Sequence, residues 1–197
     1  MEKIFTQATV LIIPGLRDHI TEHWQTLLET RLVKVRSVPP AESDKLNCAN
    51  RVQRIQAELE KISGPVILVA HSAGVLMTLH WANQYQHMIQ GALLVTPPDV
   101  SKKWPEHYPD VELLKQEGWI PLPNQKLPFF SIVVASSNDH LASLEAVETM
   151  AKAWGSELVV AGAVGHLNPA SGFGFWSQAE DLIKRLDLLH RYYSTSV

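Results

Sequence analysis

The sequence predicts an α/β domain: about six mostly parallel strands with helices packed on both faces of the sheet. Three observations predict it. Short apolar runs of strand length alternate with longer stretches of helical period along the chain, the pattern produced by right-handed βαβ crossovers. One run, residues 66–70 (VILVA), is apolar at every position, as a strand covered on both faces should be. No internal repeat or low-complexity linker interrupts the alternation, so residues 1–197 are expected to form one domain.

In chain order, the first strand is expected at residues 8–13 (ATVLII) and a first helix at 22–31. A weaker strand at 33–38 ends in Pro39-Pro40. A helix is predicted over 48–62, because Val52, Ile55, Leu59 and Ile62 recur at helical spacing. Gly64-Pro65 stops it before the strand at 66–70. A helix from Ala73 to Gln86 follows with almost no linker, then a strand at 91–96 (GALLVT). Residues 97–128 are rich in proline and aromatics and show no clean period. The strand 129–135, a helix at 141–154, a strand at 157–161 and a helix at 176–190 complete the chain. In such sheets ligands bind beyond the carboxyl ends of the strands, so the loops there are where chemistry is sought.

Composition narrows the partners. Hydrophobic residues make up 46% and charged residues 19%, with a net charge of −3 and no basic stripe. Nucleic acid and anionic membranes are poor partners for such a surface. No apolar stretch approaches the roughly 18 residues needed to span a bilayer. The apolar run ending at Pro14-Gly15 reads as a core strand rather than a signal peptide. Cys48 stands alone, which excludes an intrachain disulfide and suggests a reducing cytoplasm.

The chemistry concentrates where strand 66–70 meets the next helix, in Ala70-His71-Ser72-Ala73-Gly74. This is the nucleophile elbow G-x-S-x-G with its first glycine replaced by alanine. A serine on so sharp a turn is strained, and bulky residues two positions away would clash with neighbouring elements. The turn also sets the N–H of Ala73 at a helix N-terminus, where it can bind an oxyanion. A serine that merely caps the helix is the plainer alternative.

An acyl-transfer mechanism then needs a base and an acid in the order Ser, Asp or Glu, His, each at a strand end. Strand 129–135 ends in Ser136-Ser137-Asn138-Asp139, and strand 157–161 is followed by Gly162-Ala163-Val164-Gly165-His166. His166 is therefore the expected base and Asp139 the expected acid. Asp99 is the rival acid, because it too follows a strand. His80, His87, His107 and His190 are expected at the surface. The loop after the first strand, Pro14-Gly15-Leu16-Arg17, should supply a second oxyanion donor, the N–H of Leu16 or of Arg17. Trp104, Tyr108 and Trp119 either roof an apolar acyl pocket or pack as a rigid insertion.

Together these residues resemble the small serine hydrolases of the retinoblastoma-binding-protein-nine and YdeN type. The resemblance is carried by Pro14-Gly15, His23-Trp24-Gln25, the elbow, Thr96-Pro97-Pro98-Asp99-Val100, Ser137-Asn138-Asp139 and the string from Gly165 to Gly174 (GHLNPASGFG). It implies an α/β-hydrolase fold without a large lid and a triad at Ser72, Asp139 and His166. It fixes no substrate. Ala70 departs from the more usual glycine, and Ser177 stands after Trp176 where proline is common.

The leading expectation is a serine hydrolase acting on a small-molecule carboxylic ester, or less readily an amide or thioester, through an acyl-enzyme. A non-catalytic protein-interaction module on the same fold is the alternative of a different class, since fold does not dictate function. His19-Ile20-Thr21-Glu22-His23 also fits the zinc-peptidase pattern H-x-x-E-H, but His19 falls close after Gly15, in the loop before the helix. Gly172-Phe173-Gly174 lacks the third glycine of a dinucleotide fingerprint. Neither a metal nor another cofactor is expected.

Overall fold

A computed structural model describes residues 2–189. The strands are β1 (Thr9–Ile13), β2 (Val35–Ser37), β3 (Val66–His71), β4 (Ile89–Val95), β5 (Ser131–Ala135) and β6 (Glu157–Val160). The helices are α1 (Trp24–Arg31), α2 (Cys48–Leu59), α3 (Ala73–Gln84), α4 (Val111–Gln116), α5 (Leu144–Trp154) and α6 (Ser177–Leu188), with a single 3₁₀ turn at Pro169–Ser171. The strands form one sheet in the order β2-β1-β3-β4-β5-β6, and every neighbouring pair is parallel.

The two-residue period of a strand sends alternate side chains to opposite faces, and β1 shows the result. Leu11 and Ile13 pack with Val52 and Ile55 of α2, Leu76 of α3 and Val147 of α5 on one face. Val10 and Ile12 pack with Trp24 and Leu28 of α1 and Ile183 of α6 on the other. All six residues of β3 are buried, as a central strand between two helical layers requires. Every strand therefore delivers its carboxyl end to the same edge of the sheet. Among the described residues no helix is long and apolar enough to cross a membrane.

Several predicted boundaries move for local reasons. α1 begins at Trp24 rather than Glu22, because His23 is its N-cap and accepts the Gln25 N–H on its ring nitrogen. α5 begins at Leu144 behind the Ser143 cap, not at Leu141. Thr96 leaves β4, with a φ of 45°. The segment 97–128 contains α4, a helix too short to show a period and capped by the Asp110 side chain. α6 ends at Leu188; the predicted terminus at His190 lies outside the described residues.

Candidate active site

β3 runs into α3 through one residue, Ser72, whose φ of 56° and ψ of −127° lie where non-glycine residues are rare. Its hydroxyl makes no capping bond to the helix, so the plain capping role does not account for it. The turn is tight because the chain crosses close to β1. A Cβ on Gly74 would stand 2.4 Å from the Ile13 carbonyl oxygen and 2.8 Å from that of Pro14. A Cβ on Gly15 would come within 3.3 Å of the Ser72 Cβ. Ala70, by contrast, is fully buried with its methyl accommodated. The glycine that the pattern lacks is the dispensable one.

Ser72, His166 and Asp139 are brought into one hydrogen-bonded chain. The Ser72 hydroxyl lies 2.9 Å from His166 Nε2, and His166 Nδ1 lies 2.8 Å from Asp139 Oδ2. With the carboxylate accepting, Nδ1 carries the proton and Nε2 is free to accept from serine. His166 and Asp139 are 3% and 9% exposed, so bulk water does not compete for these bonds. The histidine loop is stitched to the acid loop. Asn138 Oδ1 accepts the Gly165 N–H at 2.7 Å, Ser136 Oγ accepts that of Val164 at 3.2 Å, and Ser171 Oγ accepts that of His166 at 3.0 Å. Asp99, the rival acid, instead accepts the N–H and hydroxyl of Ser101 at 2.9 and 2.6 Å.

Ser72 and His166 open into a cavity of about 220 Å³, below the roughly 300–1,000 Å³ typical of sites for drug-sized ligands. Leu16 and Ala73 both line it. Two polar side chains that sequence reasoning did not assign to the site brace the loop bearing Leu16 and the strand end that leads into it. The buried Arg51 of α2 pairs with Asp18 and donates to the carbonyls of Leu16, at 3.3 Å, and Lys45, at 2.7 Å. The buried Gln25 donates to Ile13 and Val69 carbonyls at 3.2 and 3.0 Å, joining the ends of β1 and β3. Trp104 and Tyr108 line the cavity, whereas Trp119 packs in the core beneath, donating to the Leu46 carbonyl. The aromatic segment is thus partly roof and partly buttress.

The histidines divide by environment. His71, fully buried, donates to the His166 carbonyl at 2.9 Å and is kept neutral, mainly by burial, well below its ordinary range. Burial, with smaller contributions from His166 and His19, lowers His23 to about 4. His80, expected at the surface, is buried and donates to the Trp119 carbonyl at 3.0 Å; its helix lies beneath the aromatic segment. The H-x-x-E-H residues all precede α1 instead of sharing a helical face, and His19 donates to the Val38 carbonyl at 3.0 Å. Among the described residues no group of three His, Cys, Asp or Glu is placed to hold a metal. Burial pushes the Cys48 thiol up to about 12, which suits a packing residue rather than a nucleophile.

The model of the serine hydrolase family matches residues 10–185, almost the whole chain and all of this site. The chain belongs to the serine hydrolase family. Among solved structures, this serine hydrolase is similar to a YdeN-like hydrolase from Pectobacterium atrosepticum, with 32% identity over 93% of this chain and 92% of that one and a TM-score of 0.79. The ydeN gene product of Bacillus subtilis shares 18% identity over 91% and 98% of the two chains, with a TM-score of 0.72. Est1E from Butyrivibrio proteoclasticus, at 13% identity over 94% and 89% and a TM-score of 0.64, shares the fold. No curated protein sequence matches the chain. The fold is the α/β-hydrolase fold without a large lid, and the protein is an enzyme of the hydrolase class.

Proposed function

We propose that this serine hydrolase cleaves a carboxylic ester of a small substrate through an acyl-enzyme formed on Ser72. The observation that carries the reading is the unbroken chain from the Ser72 hydroxyl through His166 to Asp139. His166 Nε2 takes the serine proton as Oγ attacks the ester carbonyl, and Asp139 holds the imidazole in the tautomer that can accept it. The charge that develops on the carbonyl oxygen is met by the N–H groups of Leu16 and Ala73, the latter at the positive end of α3. His166 then returns the proton to the departing alcohol. In the second half His166 deprotonates water, which attacks the acyl group and releases the acid and free serine. Thioesters and amides present the same carbonyl and would follow the same route. A module kept only for protein binding would not need the serine strained into the cavity or a carboxylate aligned on the histidine.

A fluorophosphonate probe is expected to label Ser72, with hydrolysis of short p-nitrophenyl esters in parallel. Ser72→Ala should abolish labelling and lower kcat by about a million-fold, the scale seen when such a nucleophile is removed. Labelling at another residue, or an active Ser72→Ala, would overturn the assignment.

A further inference from the structure

The cavity is lined by an arginine that hydrolysis of a neutral ester does not use. Arg17 lines it beside Leu16, exposed, with its guanidinium carbon 5.8 Å from the centre of the Tyr108 ring. Tyr108 is in turn held edge-on by Trp104, with centroids 6.2 Å apart, and its hydroxyl lies 3.4 Å from His140 Nε2. An arginine over an aromatic face is drawn to the ring's negative quadrupole and, being weakly hydrated, keeps its planar fork of N–H donors available to an anion. The guanidinium therefore sits at the exposed part of the cavity lining, over the Tyr108 ring, without being consumed there.

Its charge is also uncancelled. Asp18 is the only carboxylate among the described residues that lines the cavity, and it is taken by the buried Arg51. Asp99 is occupied by Ser101 and Asp139 by His166. Arg17 itself forms no ion pair among the described residues. The remaining walls are largely apolar, from Ile20, Trp104 and Leu141. A small apolar slot with the nucleophile in it and a single unspent guanidinium on its exposed lining suits a molecule that is uncharged in the middle and anionic at one end.

The geometry points to Arg17 as a carboxylate-binding residue: the substrate of this hydrolase carries a carboxylate, removed by a short aliphatic spacer from the carbonyl that Ser72 attacks. The inference rests on the reading of Ser72 as nucleophile and names the substrate class of that site. Half-esters of short dicarboxylic acids are the simplest members of the class. The backbone N–H of Arg17 is untouched by side-chain replacement, so the charge can be tested apart from the loop's other duties.

The test compares p-nitrophenyl half-esters of succinate, glutarate and adipate with their methyl-capped diesters, which match them in shape but lack the charge. In the native enzyme kcat/KM should favour the anionic member at one spacer length or more, by roughly ten- to a hundredfold, as a charge-assisted hydrogen bond allows. Arg17→Gln should bring that ratio near one, and Arg17→Lys should leave it intermediate, since an ammonium keeps the charge but not the fork. Raising salt from about 0.05 to 0.5 M should shrink the native ratio, because the rim is exposed to screening. A native ratio at or below one at all three lengths, or a ratio unchanged in Arg17→Gln, overturns the proposal. Fluorophosphonate labelling separates the two levels of failure. If Ser72 labels, free glutarate should slow labelling in the native enzyme more than in Arg17→Gln, and equal slowing counts against Arg17. If Ser72 does not label, the hydrolytic reading falls and this inference with it.

Discussion

The loops after β4 and β5 each carry an aspartate four residues past the strand's end, and they differ in what its side chain reaches. Each turns on an aspartate at a strand end. Asp99 Oδ1 accepts the N–H of Ser101, two residues on, and Asp139 Oδ1 accepts the N–H of Leu141, also two residues on, each at 2.9 Å. Such turns are a common structural use of aspartate. The second oxygen separates them: Asp139 Oδ2 reaches His166 Nδ1, whereas no bond from Asp99 to that ring is present among the described residues. In the proposed triad a turn-forming aspartate would serve as the orienting acid only where the next strand brings a histidine to its free oxygen. β6 does this for β5, because it is the neighbouring strand and its loop is tied to the acid loop by Ser136 and Asn138.

The contrast is broken most directly at its larger end. Asp139→Asn keeps the size and the turn, yet replaces an acceptor by a group that can donate, so the wrong imidazole tautomer is favoured. Loss of the orienting acid in comparable triads costs about 10⁴-fold in kcat. We expect a fall of that order with folding intact, measured by ester turnover and by the urea midpoint. A variant within tenfold of native would leave the Asp139–His166 bond without a catalytic role.

The two sides of His166 sharpen the comparison through pH. A carboxylate meets the ring at Nδ1, while the His71 ring lies tilted against it with centroids 5.0 Å apart and His23 lies 4.6 Å beyond His71. His23 sits at about 4 when folded, against its ordinary 6.5. Between those values the unfolded chain binds a proton that the folded chain refuses, so stability is lost as pH falls from about 7 toward 4. The limit for this one group is about 3 kcal/mol. His23→Asn keeps a side chain able to cap α1 and removes the titration. The urea midpoint of the variant should therefore fall less steeply than native between pH 7 and 4.5. Parallel curves would show that His23 is not the refusing group.

What was legible in the sequence follows from how local its causes are. The buried strand at 66–70 and the elbow at Ser72 are written in contiguous residues, as are the strand ends that carry Asp139 and His166. Chain order and the strand ends favour Asp139 over Asp99 in the sequence, but the bond that separates the two depends on which loop meets His166 in space. Arg51 and Gln25 were equally hidden. Each is a polar residue on a helix, and its burial against β1 and β3 or the loop after β1 depends on contacts 12 to 44 residues away. His80 misled for the same reason: its cover is the Trp119 carbonyl, 39 positions on. α4 escaped because a six-residue helix shows too little period to recognise.

The smallest predicted effect tests the structural half of the comparison. Asp99 is coupled to the site through shared neighbours rather than through the histidine. Its N–H donates to the Leu141 carbonyl at 3.0 Å, the same residue whose N–H holds Asp139, and its own carbonyl accepts the Trp104 indole N–H at 2.7 Å. These are backbone bonds that a side-chain change leaves standing. Asp99→Asn also retains an oxygen for the Ser101 N–H and hydroxyl, losing only the charge on that acceptor, about 0.5–1.5 kcal/mol of stability. Turnover should fall less than about tenfold. Because Trp104 lines the cavity and leans on this turn, any loss should fall on KM rather than kcat. Asp99→Ala, which removes the acceptor altogether, should raise KM further while kcat stays well above that of Asp139→Asn. A kcat for Asp99→Asn as low as that of Asp139→Asn would mean that the two turns share the acid's work, and the single bond to His166 would no longer distinguish them.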